Sequence, residues 1–345
     1  MKLPAPAQKI LIIRLHAIGD TVITIPACNF IKKNYPDCEL HFLTTALPAG
    51  LVDSFGILSS VIEIGRGFEI PESGFNSFSK KFSRLVSSFK TGLRLRKNRY
   101  DIVIDLQNNK FSRMIRKLIS AKRYSEFENF EEKSHSNRVI DTFNRAGFKN
   151  IKNDFTFALR KEQINEGKNI LLNNGWDGKQ KIVLVNPAGL YETRRWGLEN
   201  YLKLSEILIR NNYTLLISGT KKIKNISGEL KTLLGNNLID IAGVTKPREI
   251  PGILSHISGS VSDDSGLYHT AWAMGIPGVL LLGSTNSKWT CQPGEHSVCL
   301  NSSDLDCGNC KKEVCKWGDT RCLKRYNAEF VFEKLREIIN KKAKG

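Results

Sequence analysis

The chain has 345 residues, 41% of them hydrophobic and 25% charged, a balance that excludes a disordered or fibrous protein. That length accommodates two domains of about 170 residues, each able to bury its own core. Its 52 Lys and Arg against 34 Asp and Glu leave a net charge of +18, which favours anionic partners.

The opening MKLPAPAQKILIIRLHAIGD carries no secretory h-region, because Arg14 interrupts its apolar run, and no stretch approaches the roughly 18 apolar residues of a spanning helix. A cytoplasmic protein is expected. The first predicted strand, 10–15, runs into the turn His16-Ala17-Ile18-Gly19-Asp20 and then a helix. A strand, a short turn holding one carboxylate and a helix form the opening unit of a doubly wound α/β domain. Asp20 is therefore placed where such folds bind ligands, or it caps the helix that follows. Further strands are expected at 39–44, 60–64 and 101–105.

Between Lys80 and Arg123 fourteen basic residues stand against Asp101 and Asp105 alone, so this segment carries +12 of the net charge. Phe82, Leu85, Val86, Phe89 and Leu93 recur at helical spacing among Lys80, Lys81, Arg84, Lys90, Arg94 and Arg96. The pattern predicts an amphipathic helix whose apolar face packs on the core and whose basic back is solvated. The functional alternative is docking of those six cations on anionic lipid or an acidic glycolipid. No zinc-finger, RRM-like or KH-like pattern supports nucleic acid.

The polar stretch 158–181 ends in two glycines before a new strand and marks a domain boundary. The second half predicts strands at 181–186, 213–218, 238–241, 258–262 and 278–282, with helical spacing between them. It closes on an amphipathic helix that sets Phe330, Val331, Leu335, Ile338 and Ile339 on one side. Neither a G-x-G-x-x-G after the first strand nor a P-loop is present, which weighs against dinucleotide and P-loop chemistry.

Two loops of this half suit an anionic ligand. After the strand ending near Val261, Asp264-Ser265-Gly266 opens a helix carrying His269, and a helix start favours phosphate through its N–H groups and dipole. The same residues also read as an ordinary N-cap and a surface histidine. After the strand ending at Asn186, the loop holds Arg194 and Arg195, planar cations suited to phosphate, with Trp196 as an apolar anchor.

Cys28 and Cys38 read as lone buried thiols. Six more cysteines crowd the tail, and the C-x2-C-x4-C-x6-C run of Cys307, Cys310, Cys315 and Cys322 suits a structural zinc or iron–sulfur site as well as free thiols. Disulfides are not expected in a reducing compartment. The one D-x-D, Asp304-Leu305-Asp306, falls beyond the last predicted strand and reads as chance.

Taken together, ILIIRLHAIGDTVITIPACNFIKKNYPDCELHFLTT, YDIVIDLQNN, NPAGLYETRRWGLENY, IDIAGVTKPREIPGILSHISGSVSDDSGLYHTAWAMGIPGVLLLGSTN and the cysteine-rich tail resemble glycosyltransferase family 9, the lipopolysaccharide heptosyltransferases. The resemblance implies a GT-B fold: two Rossmann-like parallel-sheet domains, 1–165 for the acceptor and 166–325 for the nucleotide sugar, facing a central cleft, with a helix at 326–345 packing back toward the first. It implies inverting, metal-independent transfer of heptose from ADP-heptose to a phosphorylated lipopolysaccharide core at the cytoplasmic face of the inner membrane, with no cofactor required and no nucleic-acid partner.

The family's general base falls on Asp20. Its donor-binding positions fall on Ala188, Gly189, Thr193, Arg194, Gly243, Val244, Asp264, Ser265, Gly266 and His269. Arg194 stands where the family usually has lysine, the usual P-G-[AS] loop reads Pro187-Ala188-Gly189, and an acidic donor-site position falls on Thr220 or Lys221. The rivals are a family member using another nucleotide sugar and a non-catalytic module binding nucleotide or nucleic acid.

Overall fold

The computed structural model describes residues 7–65, 68, 78–129 and 132–344. The chain divides into two compact units, Met1–Ala158 and Leu159–Gly345.

In the first unit, β1 (Lys9–Ile13), β2 (Glu39–Thr44), β3 (Ser60–Glu63), β4 (Ile102–Asp105) and β5 (Arg123–Glu126) form one parallel sheet in the order β3-β2-β1-β4-β5. Ile10, Leu11, Ile12 and Ile13 are all fully buried, as a central parallel strand covered on both faces requires. The order reverses between β1 and β4, and outside the carboxyl ends of such a pair lies the crevice where doubly wound sheets take ligands.

The second unit contains β6 (Lys181–Asn186), β7 (Tyr213–Ile217), β8 (Leu238–Asp240), β9 (Ile257–Asp263), β10 (Gly278–Leu281) and β11 (Ser297–Leu300). All pairs are parallel, in the order β11-β10-β9-β6-β7-β8. This is the Rossmann order, with its reversal between β6 and β9. Successive side chains of β6 feed two cores, Val183 and Val185 on one face, Ile182 and Leu184 on the other, the two-residue period of a strand.

β5 and β11 are absent from the sequence expectation. Both are edge strands, RYSE and SVCL, with exposed or half-exposed positions, so neither shows the apolar run that marks the interior strands. The domain boundary falls before 165 because the helix Lys161–Asn173 belongs to the second unit. It crosses the helix Ile250–Leu254 at Gly167 and Gly252, where a methyl on either glycine would overlap the facing backbone.

The C-terminal helix Ala328–Lys344 is likewise part of the second unit. Val331, Phe332, Leu335 and Ile338 are buried in the core it shares with β6 and β10. Phe330 departs from the expected apolar side, being exposed and stacked on Tyr326 at 6.0 Å.

The helix Phe78–Arg96 corrects the expectation made for it. It packs on the helix Lys110–Ile119 through Ser88, Thr91, Gly92 and Leu95, with Gly92 against Leu118. Phe82, Leu85, Phe89 and Leu93 face outward. Small residues permit close helix contact, so the bulky face is the one left out. The side chain of Lys80 lies outside the described residues.

Among the described residues, no helix is long and apolar enough to cross a membrane.

Candidate active site

The first unit's site forms at the carboxyl end of β1. The chain turns at Ala17, a non-glycine residue with φ 61°, and enters the short helix Ile18–Val22, so Asp20 sits inside the helix and Ala17 takes the cap position. Positive φ is costly for alanine and is held here by its surroundings. The Thr21 N–H and hydroxyl both donate to the Ala17 carbonyl, at 3.0 and 2.8 Å.

Asp20 meets two groups that sequence reasoning did not assign to it. The buried Arg14 guanidinium donates to Asp20 Oδ2 and also to the Leu106 carbonyl. His135 Nδ1 lies 3.7 Å from Asp20 Oδ1. The His135 ring packs on Phe127 at 4.9 Å, and the guanidinium groups of Arg14 and Arg138 flank the same ring. The Asp20 side chain keeps 39% of its exposure, so the carboxylate is oriented by protein yet open to solvent.

Arg14 gave one sequence signal, a cation closing an apolar strand. His135 gave none, because it enters from a helix 115 residues further on, capped by Ser134. Behind them, the buried Asp105 accepts from the Gln107 and Asn108 N–H groups, and Gln107 accepts from Leu15 and His16. Burial pushes the Asp105 carboxyl up against these donors. Burial, then Arg84 and Arg14, holds His16 below the ordinary imidazole value.

The second unit's site gathers at the carboxyl ends of β6 and β9. Asp263 is its organiser and was not among the expected residues. Its fully buried carboxylate accepts from Gly189 N at 3.1 Å, Trp196 N at 3.2 Å and the Tyr201 hydroxyl at 3.2 Å, fastening both ends of the 187–196 loop. Burial pushes it up to about 7 despite those donors. Gly189 is required because a methyl there would overlap the Arg194 carbonyl. Trp196, buried, packs edge-on against Tyr201 at 5.1 Å and donates to the Tyr326 carbonyl, the anchor expected of it.

Asp264 joins two of the expected residues, Arg194 and His269, to Thr285, which the sequence reading did not single out. Arg194 NH1 lies 3.5 Å from its Oδ2, His269 Nε2 lies 3.5 Å from its Oδ1, and the Thr285 hydroxyl donates to Oδ2 at 3.0 Å. Burial works to raise this carboxyl, but His269, Arg194 and Thr285 hold it below the ordinary carboxylate value. Ser265 caps the helix Gly266–Ala273, accepting from Tyr268 N at 3.2 Å and from the Asn186 amide at 2.8 Å. Arg194 Nε and His269 Nδ1 are buried and have no hydrogen-bond partner.

Four expected residues stand apart from this cluster. Thr193 is buried, with its hydroxyl committed to Ser284 and to the Lys312 carbonyl, so it fixes the loop. Gly243, at φ 71°, and the exposed Val244 follow β8 on the same sheet edge, beside Lys221. Ala188 packs against the core. Arg195, paired with Arg194 in the sequence, spends its Nε and NH2 on the Gly189 and Leu190 carbonyls and serves as a loop staple.

In the tail, Cys291 and Cys299 form a disulfide, contrary to expectation. Cys299 sits on β11 and Cys291 closes the helix Ser287–Thr290, which brings the two together. Cys307, Cys310, Cys315 and Cys322 are free, and no group of three metal-ligating side chains among the described residues is placed to hold an ion. The Cys315 thiol instead lies in a backbone loop where the N–H groups of Trp317, Gly318, Asp319 and Thr320 lower it against burial.

The chain is similar to several known proteins. The family model described as glycosyltransferase family 9 (heptosyltransferase) matches residues 88–320. Lipooligosaccharide heptosyltransferase 2 of Haemophilus influenzae is 22% identical, over 97% of this chain and all of that one. Among solved structures, a glycosyltransferase family 9 protein of Veillonella parvula aligns at TM-score 0.81 and 14% identity, over 99% of this chain and 100% of that one. E. coli ADP-heptose LPS heptosyltransferase II aligns at 0.74 and 16%, over 97% and 99%.

Proposed function

Since the chain belongs to glycosyltransferase family 9, the heptosyltransferases, we propose that it moves heptose from ADP-heptose to a lipopolysaccharide core, with inversion and without a metal ion. The observation that carries this reading is the cluster at β6 and β9. A cation and a histidine converge on one helix start, each with a buried nitrogen left unpaired. Buried polar groups normally have partners, so such a pair suits an anionic ligand.

In this reading the second unit holds the donor diphosphate. Arg194, the N–H groups opening the helix at Gly266 and His269 meet the phosphates, with Ser265 and Asp264 holding them in place, while Gly243 and Val244 approach the adenine. Asp20 of the first unit takes the proton of the acceptor hydroxyl as that oxygen bonds to the anomeric carbon. The bond from that carbon to the diphosphate breaks, and ADP departs with the electron pair. Charge developing on the leaving phosphate is offset by Arg194 and His269, where one such donor is typically worth about 3 kcal/mol of barrier. Arg14 and His135 keep Asp20 aimed. The acceptor is an amphiphile of the inner membrane, so the enzyme works at the cytoplasmic surface of that membrane.

Thr220 and Lys221 favour the second reading, another nucleotide sugar, because they stand where the resemblance implies an acid.

Calorimetric titration with ADP, UDP and GDP, in equal salt and without metal, tests the donor assignment. ADP is expected to bind selectively, and Arg194→Ala to weaken it by roughly tenfold or more. Selective binding of UDP or GDP would replace the donor, and binding of none would overturn the reading.

A further inference from the structure

The helix Phe78–Arg96 presents its faces the wrong way round for a core element. Ser88, Thr91, Gly92 and Leu95 are turned inward, whereas Phe82 is 61% exposed, Leu85 48%, Phe89 49% and Leu93 42%. Their spacing of three, four and four residues puts the four on one stripe, about 16 Å long at the helical rise. The exposed cations Lys81, Lys90, Arg94, Arg96 and Lys97 border it, and no acidic residue occurs from 78 to 100. The neighbouring helix Lys110–Ile119 adds the exposed Lys110, Arg113 and Lys117 to the same layer.

We propose that this helix is the membrane-docking element, lying in the plane of an anionic bilayer with Phe82, Leu85, Phe89 and Leu93 inserted among the acyl chains. The bordering cations meet lipid phosphates, which is how an interfacial amphipathic helix divides its two faces between hydrocarbon and headgroup. Cations alone would make a salt-sensitive contact, and a bare apolar stripe would suit any greasy partner. The combination selects a surface that is anionic outside and apolar beneath. A second copy of the chain is disfavoured by charge, since it would bring one +18 molecule against another. The inference deepens the membrane-surface reading above, but it stands on this helix and is tested without sugar transfer.

The test uses the full chain with vesicles of phosphatidylethanolamine and phosphatidylglycerol, against phosphatidylcholine alone. Wild type is expected to co-sediment with the anionic vesicles. The pair Phe82→Ser and Phe89→Ser is expected to lower the partition by roughly tenfold or more, with an unchanged melting temperature because both rings are exposed. Phe89→Trp is expected to add emission that lipids brominated along the acyl chain quench. Equal binding by the Ser pair and wild type, or absence of that quenching, overturns insertion. So does a vesicle-free change in oligomeric state, or RNA binding, that depends on the two phenylalanines.

Discussion

Asp20 and Asp263 show how the same side chain serves opposite ends when its surroundings differ. Asp20 is ion-paired and open, as the proposed base must be, whereas Asp263 is sealed among N–H and hydroxyl donors and holds a loop. Burial raises the folded-state value of Asp263 to about 7 from an ordinary 3.8. The folded protein therefore keeps a proton that the unfolded chain releases, and stability falls as pH rises between those two values. Above about 7 both states are ionised and this contribution is flat. Melting temperature against pH should thus decline less steeply across that window in Asp263→Asn than in wild type, and equal slopes would contradict the assignment. Asp20 was legible from its place on a strand-turn-helix unit. Asp263 was not, because in the sequence it is simply the residue before a recognisable motif.

At the scale of elements, apolar runs and helical spacing identified the interior strands, which are buried on both sides and need no tertiary context to be read. The basic helix shows where periodicity stops. Its pattern gives an apolar face correctly, but whether that face is buried depends on what lies opposite, and the close approach at Gly92 and Leu118 favours the small-residue side. Glycines make the same point about packing. Gly167 lies where the helices Lys161–Asn173 and Ile250–Leu254 cross without room for a methyl, whereas Gly228, in the helix Lys224–Leu234, faces open space. In urea unfolding, Gly167→Ala should cost about 2 kcal/mol or more by overpacking. Gly228→Ala should gain about 0.5 to 1 kcal/mol by helix propensity. Equal effects at the two positions would contradict this account of the crossing.

For the molecule as a whole, charge and chemistry are divided between the units. Of the net +18, the segment Lys80–Arg123 of the first unit supplies +12, while the second unit concentrates paired and buried ionisable groups at β6 and β9. Two Rossmann-like sheets explain why Asp20, Arg194 and Asp264 each follow the carboxyl end of a strand at a reversal of strand order. In the proposed reaction these groups carry out heptose transfer with Asp20 as the base. Its most direct test is ADP release from ADP-heptose with a purified lipopolysaccharide-core acceptor and a chelator present, comparing wild type with Asp20→Asn. Wild type is expected to turn over and the variant to lose roughly 100- to 10,000-fold, with ADP affinity retained. Undiminished turnover by Asp20→Asn, or none by wild type, would contradict it.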